Sequence, residues 1–200
     1  MTYENLQCLI IGISGKIGVG KDYMARHILE NSKKAIILAF ADSLKLMVLA
    51  ENKDVPYNDV FIKKTEVSRK LLQDKGTYYR QHFHPNYWID LLYNTIKLHC
   101  SRGFDTFIIS DVRYKNEAAF IKEIGGYIIR ITAPERNLTR LKSESSKQYD
   151  KIRNHKSETD LDDYKFEYVV TNDFDNQKES ITQMDEALKT IRNDYLLTYV

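Results

Sequence analysis

Long apolar runs are missing from this 200-residue sequence. No stretch approaches the roughly 20 consecutive apolar residues of a membrane-crossing helix, so no membrane partner is expected. Prolines number 3, hydrophobic residues make up 42% and charged residues 29%, which together argue against a disordered chain. An excess of one charge is also absent. Lys plus Arg total 30 against 28 Asp plus Glu, a formal net charge of +2, so nothing in the bulk charge asks for nucleic acid. Cysteine is scarce, with Cys8 in an apolar run and Cys100 at the end of a helical stretch. Both are expected as reduced thiols, and no Cys/His set has zinc spacing. The opening residues Met1-Thr2-Tyr3-Glu4-Asn5 lack the basic-then-apolar pattern of a secretory leader. A cytoplasmic protein is therefore expected. No internal repeat or low-complexity linker interrupts the chain, and its length fits one domain.

What is present is an alternation of strand-like and helix-like segments. Short, nearly continuous apolar runs at Gln7–Ile13, Ala35–Phe40, Asp105–Asp111, Tyr127–Thr132 and Phe166–Asn172 read as strands, the first three as strands buried on both faces. Between them, helical spacing predicts helices over Lys21–Asn31, Ser43–Glu51, Asn58–Gln73, Asn86–Cys100 and Asn116–Ile124. Asp42 or Ser43 is the expected cap of the second helix, and Gly76 is expected to break the pattern after the third. Polar residues 135–153 read as a helix and a solvated loop, and Ile181, Met184, Ala187, Leu188 and Ile191 mark a C-terminal amphipathic helix. Alternating β and α predicts an α/β domain, a five-stranded parallel sheet with helices on both faces.

The stretch Gly15-Lys16-Ile17-Gly18-Val19-Gly20-Lys21 has the spacing of a phosphate-binding loop and lies between the first strand and the first helix, as that motif requires. Glycines let backbone N–H groups share one concavity, the helix N-terminus adds partial positive charge, and Lys21 supplies a mobile cation. The next position, where a Ser or Thr hydroxyl is expected on Mg²⁺, holds Asp22. A carboxylate serves Mg²⁺ directly or through a coordinated water. Phosphoryl transfer also needs an acid at the end of a neighbouring strand, and Asp111 occupies that place.

These features form part of a longer resemblance. The chain resembles the phage-type deoxynucleoside monophosphate kinases through Gly20-Lys21-Asp22, Phe40-Ala41-Asp42-Ser43-Leu44-Lys45, and then Arg69, Leu72-Gln73, Gly76-Thr77 and Arg80. Trp88, Asp111-Val112-Arg113, Asn116-Glu117, His155 to Glu158 and Val170-Thr171-Asn172 follow in the same order, so the match runs from about residue 8 to 173. Animal-type phosphomevalonate kinases share the Gly-Lys-Asp loop and the Asp-x-Arg strand end and are the nearest rival. A GTP-dependent switch is disfavoured, because Asp111-Val112-Arg113-Tyr114 stands where Asp-x-x-Gly is expected. A non-catalytic nucleotide-binding protein is the remaining alternative.

The resemblance implies a P-loop NTPase fold, one kinase domain over residues 1–200 with a core of about 7–132 and 164–200, an acceptor-nucleotide region of about 42–100 and a small helical lid of about 134–158. It implies ATP and Mg²⁺, with a deoxynucleoside monophosphate as acceptor. ATP would meet Gly15, Lys16, Gly18, Val19, Gly20, Lys21, Asp22, Tyr23, Arg136, Thr171 and Asn172. The acceptor would meet Asp42, Lys45, Arg69, Gln73, Thr77, Arg80, Trp88, Arg113 and Glu117, with Gln73 reading a base edge and Arg69 and Arg80 clamping the monophosphate. Asp22 and Asp111 would hold the metal, directly or through water. Lys21, Asp111 and the lid arginines Arg136 and Arg140 would carry catalysis, with Arg153 a weaker candidate of the same kind. The acceptor oxygen is already anionic, so no general base is required. His155, Ser157 and Glu158 fit the pattern without an evident role, and a homodimer is left open.

Overall fold

The computed structural model describes residues 3–63, 65–136, 139, 154–173 and 177–199. Its centre is β1 (Leu9–Ser14), which is buried at all six positions. That burial explains the uninterrupted apolar run, because β1 is hydrogen-bonded on both edges and covered on both faces. It pairs in parallel with β3 (Thr106–Val112) on one side and β4 (Tyr127–Thr132) on the other. β2 (Ala35–Leu38) extends the sheet beyond β3, and β5 (Tyr168–Thr171) extends it beyond β4. The order is β2-β3-β1-β4-β5, parallel throughout; five parallel strands are what the alternation predicted, but β2, expected to be buried on both faces, is a half-buried edge strand.

Strand alternation divides the core between two faces. Ile10, Phe107 and Ile109 pack with Ile89, Leu92 and Ile96 of α5 (Tyr87–Cys100) and Phe120 and Ile121 of α6 (Lys115–Glu123). Ile11, Ile13, Ile108 and Ile129 pack with Met24 and Ile28 of α1 (Lys21–Glu30) and Met184, Leu188 and Ile191 of α8 (Gln177–Tyr199). A third cluster, Leu44, Val48, Val60 and Trp88, ties α2 (Phe40–Glu51), α3 (Tyr57–Phe61) and α4 (Glu66–His82) to α5. A short helix, α7 (Lys156–Thr159), precedes β5. The Cys8 and Cys100 sulfurs are free thiols 3.7 Å apart, and burial pushes the Cys8 thiol up. No helix among the described residues is long and apolar enough to cross a membrane.

Three further local expectations change. The helix after β2 starts at Phe40, and its N-terminal amides are held by a distant residue as well as a local one. Ala39 N donates to Asp42 Oδ2 at 2.9 Å, while Phe40 N and Ala41 N donate to Asp111 Oδ1 and Oδ2 at 2.7 and 3.0 Å. The polar helix expected over Asn58–Gln73 is two helices, α3 and α4, the second capped by Thr65 Oγ1 accepting from Ser68 N. Gly76 does not end α4 but lies inside it. A Cβ there would stand 3.2 Å from Leu44 Cδ2, and the Gly76 carbonyl accepts the Trp88 indole N–H at 3.2 Å. Glycine at this point permits close approach of two helices. Most of the expected lid, including residues 140–153, lies outside the described residues.

Candidate active site

The strand ends feed one edge of the sheet with polar residues, and two connected clefts open there. The outer cleft, of about 480 Å³, is lined by Gly18, Gly20, Lys21 and Asp22 of the loop and α1, and by Lys45, Arg69, Gln73, Asp111 and Arg113 opposite. The inner cleft, of about 160 Å³, is lined by apolar Phe40, Leu44, Leu72 and Trp88 and by polar Gln73, Thr77, Arg80 and Glu117. Gln73, Asp111 and Arg113 line both.

The glycine loop is held from several sides. Lys21 begins α1, is 9% exposed, and rests its ammonium on Gly15 O at 2.8 Å and Lys16 O at 3.0 Å. Asn172, at the end of β5, donates from Nδ2 to Val19 O at 2.8 Å. Arg136 donates to Asn172 O at 2.6 Å and to Gly18 O at 3.4 Å. Gly20 has φ 91°, in the left-handed region, and a Cβ there would lie 2.3 Å from Asn172 Nδ2. Gly20→Ala therefore strains the backbone and breaks the Asn172–Val19 link. Calorimetry on this variant is expected to show nucleotide affinity reduced by about tenfold or more, the equivalent of about 1.4 kcal/mol.

Electrostatics single out three buried or half-buried groups. Burial, and then the Arg113 guanidinium, push the Lys21 amine down to about 7. Phosphates beside it would restore its proton, so nucleotide binding at pH 8 is expected to take up about one proton, with affinity falling as pH rises through and above 7. Calorimetry in buffers of different ionisation enthalpy reads that uptake, and Lys21→Met should abolish it. Burial also pushes the Asp111 carboxyl up, against the pull of the Ala41 and Phe40 amides. Glu117, 3% exposed, is pushed up to about 8 by burial and then by the charge of Asp111. Glu117 Oε2 accepts from Arg113 N and Tyr114 N at 2.8 and 3.1 Å, and Oε1 faces Arg80 at 3.6 Å. Arg80 in turn lies over the Tyr114 ring at 4.5 Å.

Not every expected residue reaches the clefts. Lys16 turns away to Asp162 at 2.9 Å, and Val19 packs in the core at 1% exposure. Tyr23 points outward, at 43% exposure. Asp42 spends its carboxylate on Ala39 N and on Lys45, the latter at 2.9 Å, and lines neither cleft. The Thr171 hydroxyl meets that of Thr132 at 3.3 Å on the sheet. Arg140 and Arg153 lie outside the described residues. Ser110, Tyr114, His155, Ser157 and Glu158 are cleft residues without an assigned role in the sequence reading. The His-x-Ser-Glu pattern was the signal for three of them.

The donor set for a cation is narrow. Among the described residues no three His, Cys, Asp or Glu side chains cluster as a metal cage. Asp22 and Asp111 line the same outer cleft. Two carboxylates beside the glycine loop fit Mg²⁺, a cation that prefers oxygen ligands, and these are the residues that would hold it.

A protein of Acanthamoeba polyphaga mimivirus, provisionally named a deoxynucleotide monophosphate kinase, is 32% identical to this chain over 148 residues, covering 63% of this chain and 75% of the relative. The chain belongs to this kinase family. No protein-family model matches it. Among solved structures, a dephospho-CoA kinase from Campylobacter jejuni superposes with a TM-score of 0.54 at 14% identity, over 91% of this chain and 96% of the other. A Thermus thermophilus protein gives 0.55 at 17% identity, over 92% and 98%. Those two likenesses concern the fold, the P-loop kinase α/β architecture. For the deoxynucleotide kinase family the arrangement has a clear consequence. The loop sits at the C-terminal edge of a parallel sheet, where ligands of such sheets bind.

Proposed function

We infer that this chain transfers the γ-phosphoryl group of ATP to a deoxynucleoside 5′-monophosphate, giving the diphosphate. The observation that carries the reading is the join between the clefts. The phosphate-loop cleft runs into a slot walled by Trp88, Phe40 and Leu44, and Asp111 and Arg113 border both. A planar base suits an aromatic and aliphatic slot with a few polar groups, here Gln73, Thr77 and Arg80. A mevalonate skeleton has no such plane.

Transfer between two phosphates gathers several negative charges, which the protein must offset while keeping donor and acceptor in line. Lys21 and the loop hold the donor. Arg113, at the join, and Arg69 and Lys45, on the far wall of the outer cleft, face the acceptor phosphate. Gln73 and Thr77 meet the base edge. Asp22 and Asp111 would hold Mg²⁺, which when bound offsets charge on the donor phosphates. Arg136, braced on Asn172, adds positive charge beside the loop.

The test is an ADP-release assay with ATP and Mg²⁺ across the four common deoxynucleoside monophosphates, their ribo counterparts and phosphomevalonate. Turnover with at least one deoxynucleotide is expected. Turnover with phosphomevalonate alone, or with nothing, would overturn the reading.

A further inference from the structure

The segment from His155 to Asp163 has no role in the transfer as described, yet it touches the phosphate loop and the residues after β3. Glu158 is its centre. The residue is 8% exposed, and its Oε2 accepts from Ile17 N, in the middle of the loop, at 2.7 Å. Its Oε1 pairs with Arg113 Nη1, and the same guanidinium donates to Ser157 O at 3.4 Å. His155 Nδ1 accepts from Ser157 N at 3.2 Å and so starts the turn that presents Glu158. Three further links run alongside: Asp162 accepts from Lys16 Nζ at 2.9 Å, Asp160 Oδ2 accepts from Lys115 N at 2.8 Å, and Asp163 Oδ2 accepts from Lys115 Nζ at 2.7 Å.

A buried carboxylate lining a cleft for phosphates repels its ligands and is costly unless paired. Substrate binding therefore does not account for Glu158. Its two oxygens do. A carboxylate accepts at both ends, so it can join two donors that lie on different segments. We propose that Glu158 is a positioning residue that couples the phosphate loop to Arg113, fixing the loop backbone at Ile17 with one oxygen and the guanidinium at the cleft junction with the other. Glutamine is the discriminating replacement. Its single oxygen serves one partner, and its NH₂ meets the other as donor against donor. The inference rests on the kinase reading for its effect on turnover, but not for its effect on the loop.

The experiment compares wild type, Glu158→Gln, Arg113→Ala and the double variant. It reads amide hydrogen exchange at Ile17, ADP affinity by calorimetry, and kcat on the best deoxynucleotide. Glu158→Gln is expected to exchange Ile17 faster, to bind ADP about tenfold more weakly, and to lose about 100-fold in kcat, as a misplaced group does. In the Arg113→Ala background the further loss in kcat should be under about threefold, because residues acting as a unit are not additive. Asp162→Asn cuts a parallel link on the same segment and should leave kcat within about threefold of wild type, which a merely structural role for the segment would not. Glu158→Asp keeps the charge but is too short to reach both partners, and should show the same pattern if the glutamine variant fails to fold. Unchanged Ile17 exchange and ADP affinity, or kcat losses that multiply in the double variant, would overturn the inference. A wild type that phosphorylates no deoxynucleotide would sink the kinase reading alone, and the exchange and ADP measurements would still decide the bridge.

Discussion

Lys21→Ala is expected to lower kcat about 1,000-fold or more, the equivalent of about 4 kcal/mol of transition-state stabilisation. The side chain is 9% exposed and lies on the loop carbonyls of Gly15 and Lys16. A charge in so dry a place acts on a phosphate far more strongly than one in water. The same dryness lowers its amine to about 7, so the protein holds this cation at a cost to its own stability. Lys21→Met keeps the apolar stem and removes that cost. Its melting temperature should be no lower than that of the wild type, while kcat falls as for alanine. Steady-state kinetics with thermal unfolding reads both. A kcat within tenfold of wild type would remove Lys21 from the chemistry.

Asp111→Asn should damage catalysis and folding together. Both carboxylate oxygens accept backbone amides at the start of α2, whereas asparagine offers one oxygen and one donor. One buried amide then loses its partner, at about 1–3 kcal/mol, and the melting temperature should drop. The lost negative charge removes one of the two carboxylates that fit Mg²⁺. We expect kcat about 100-fold lower and a higher Mg²⁺ requirement, measured by titrating Mg²⁺ at fixed ATP. Full activity at saturating Mg²⁺ would mean that Asp111 only anchors α2.

Asp111 shows where the sequence stops and the fold takes over. The sequence alone offers an acid at the end of a buried strand and cannot distinguish a metal ligand from a helix anchor. The structure shows the anchor contacts directly, and the same side chain still borders both clefts. Asp42 is the reverse case. Its motif places it with the acceptor, but its carboxylate is consumed by Ala39 N and Lys45. Gly76 looks like a helix breaker because glycine weakens helices locally, and only the packing of Leu44 and Trp88 against it reveals why it is tolerated inside α4.

By itself, the sequence determined the five strands of a parallel sheet and a glycine loop between the first strand and the first helix. Those features are written in local periodicity and glycine spacing, which neighbouring residues carry. Tertiary structure alone decided where α2 begins, which of the candidate side chains line the two clefts, and that Glu158 bridges Ile17 and Arg113. The start of α2 and the Glu158 bridge depend on polar contacts between residues tens of positions or more apart, and such contacts leave no periodic trace in the chain that makes them.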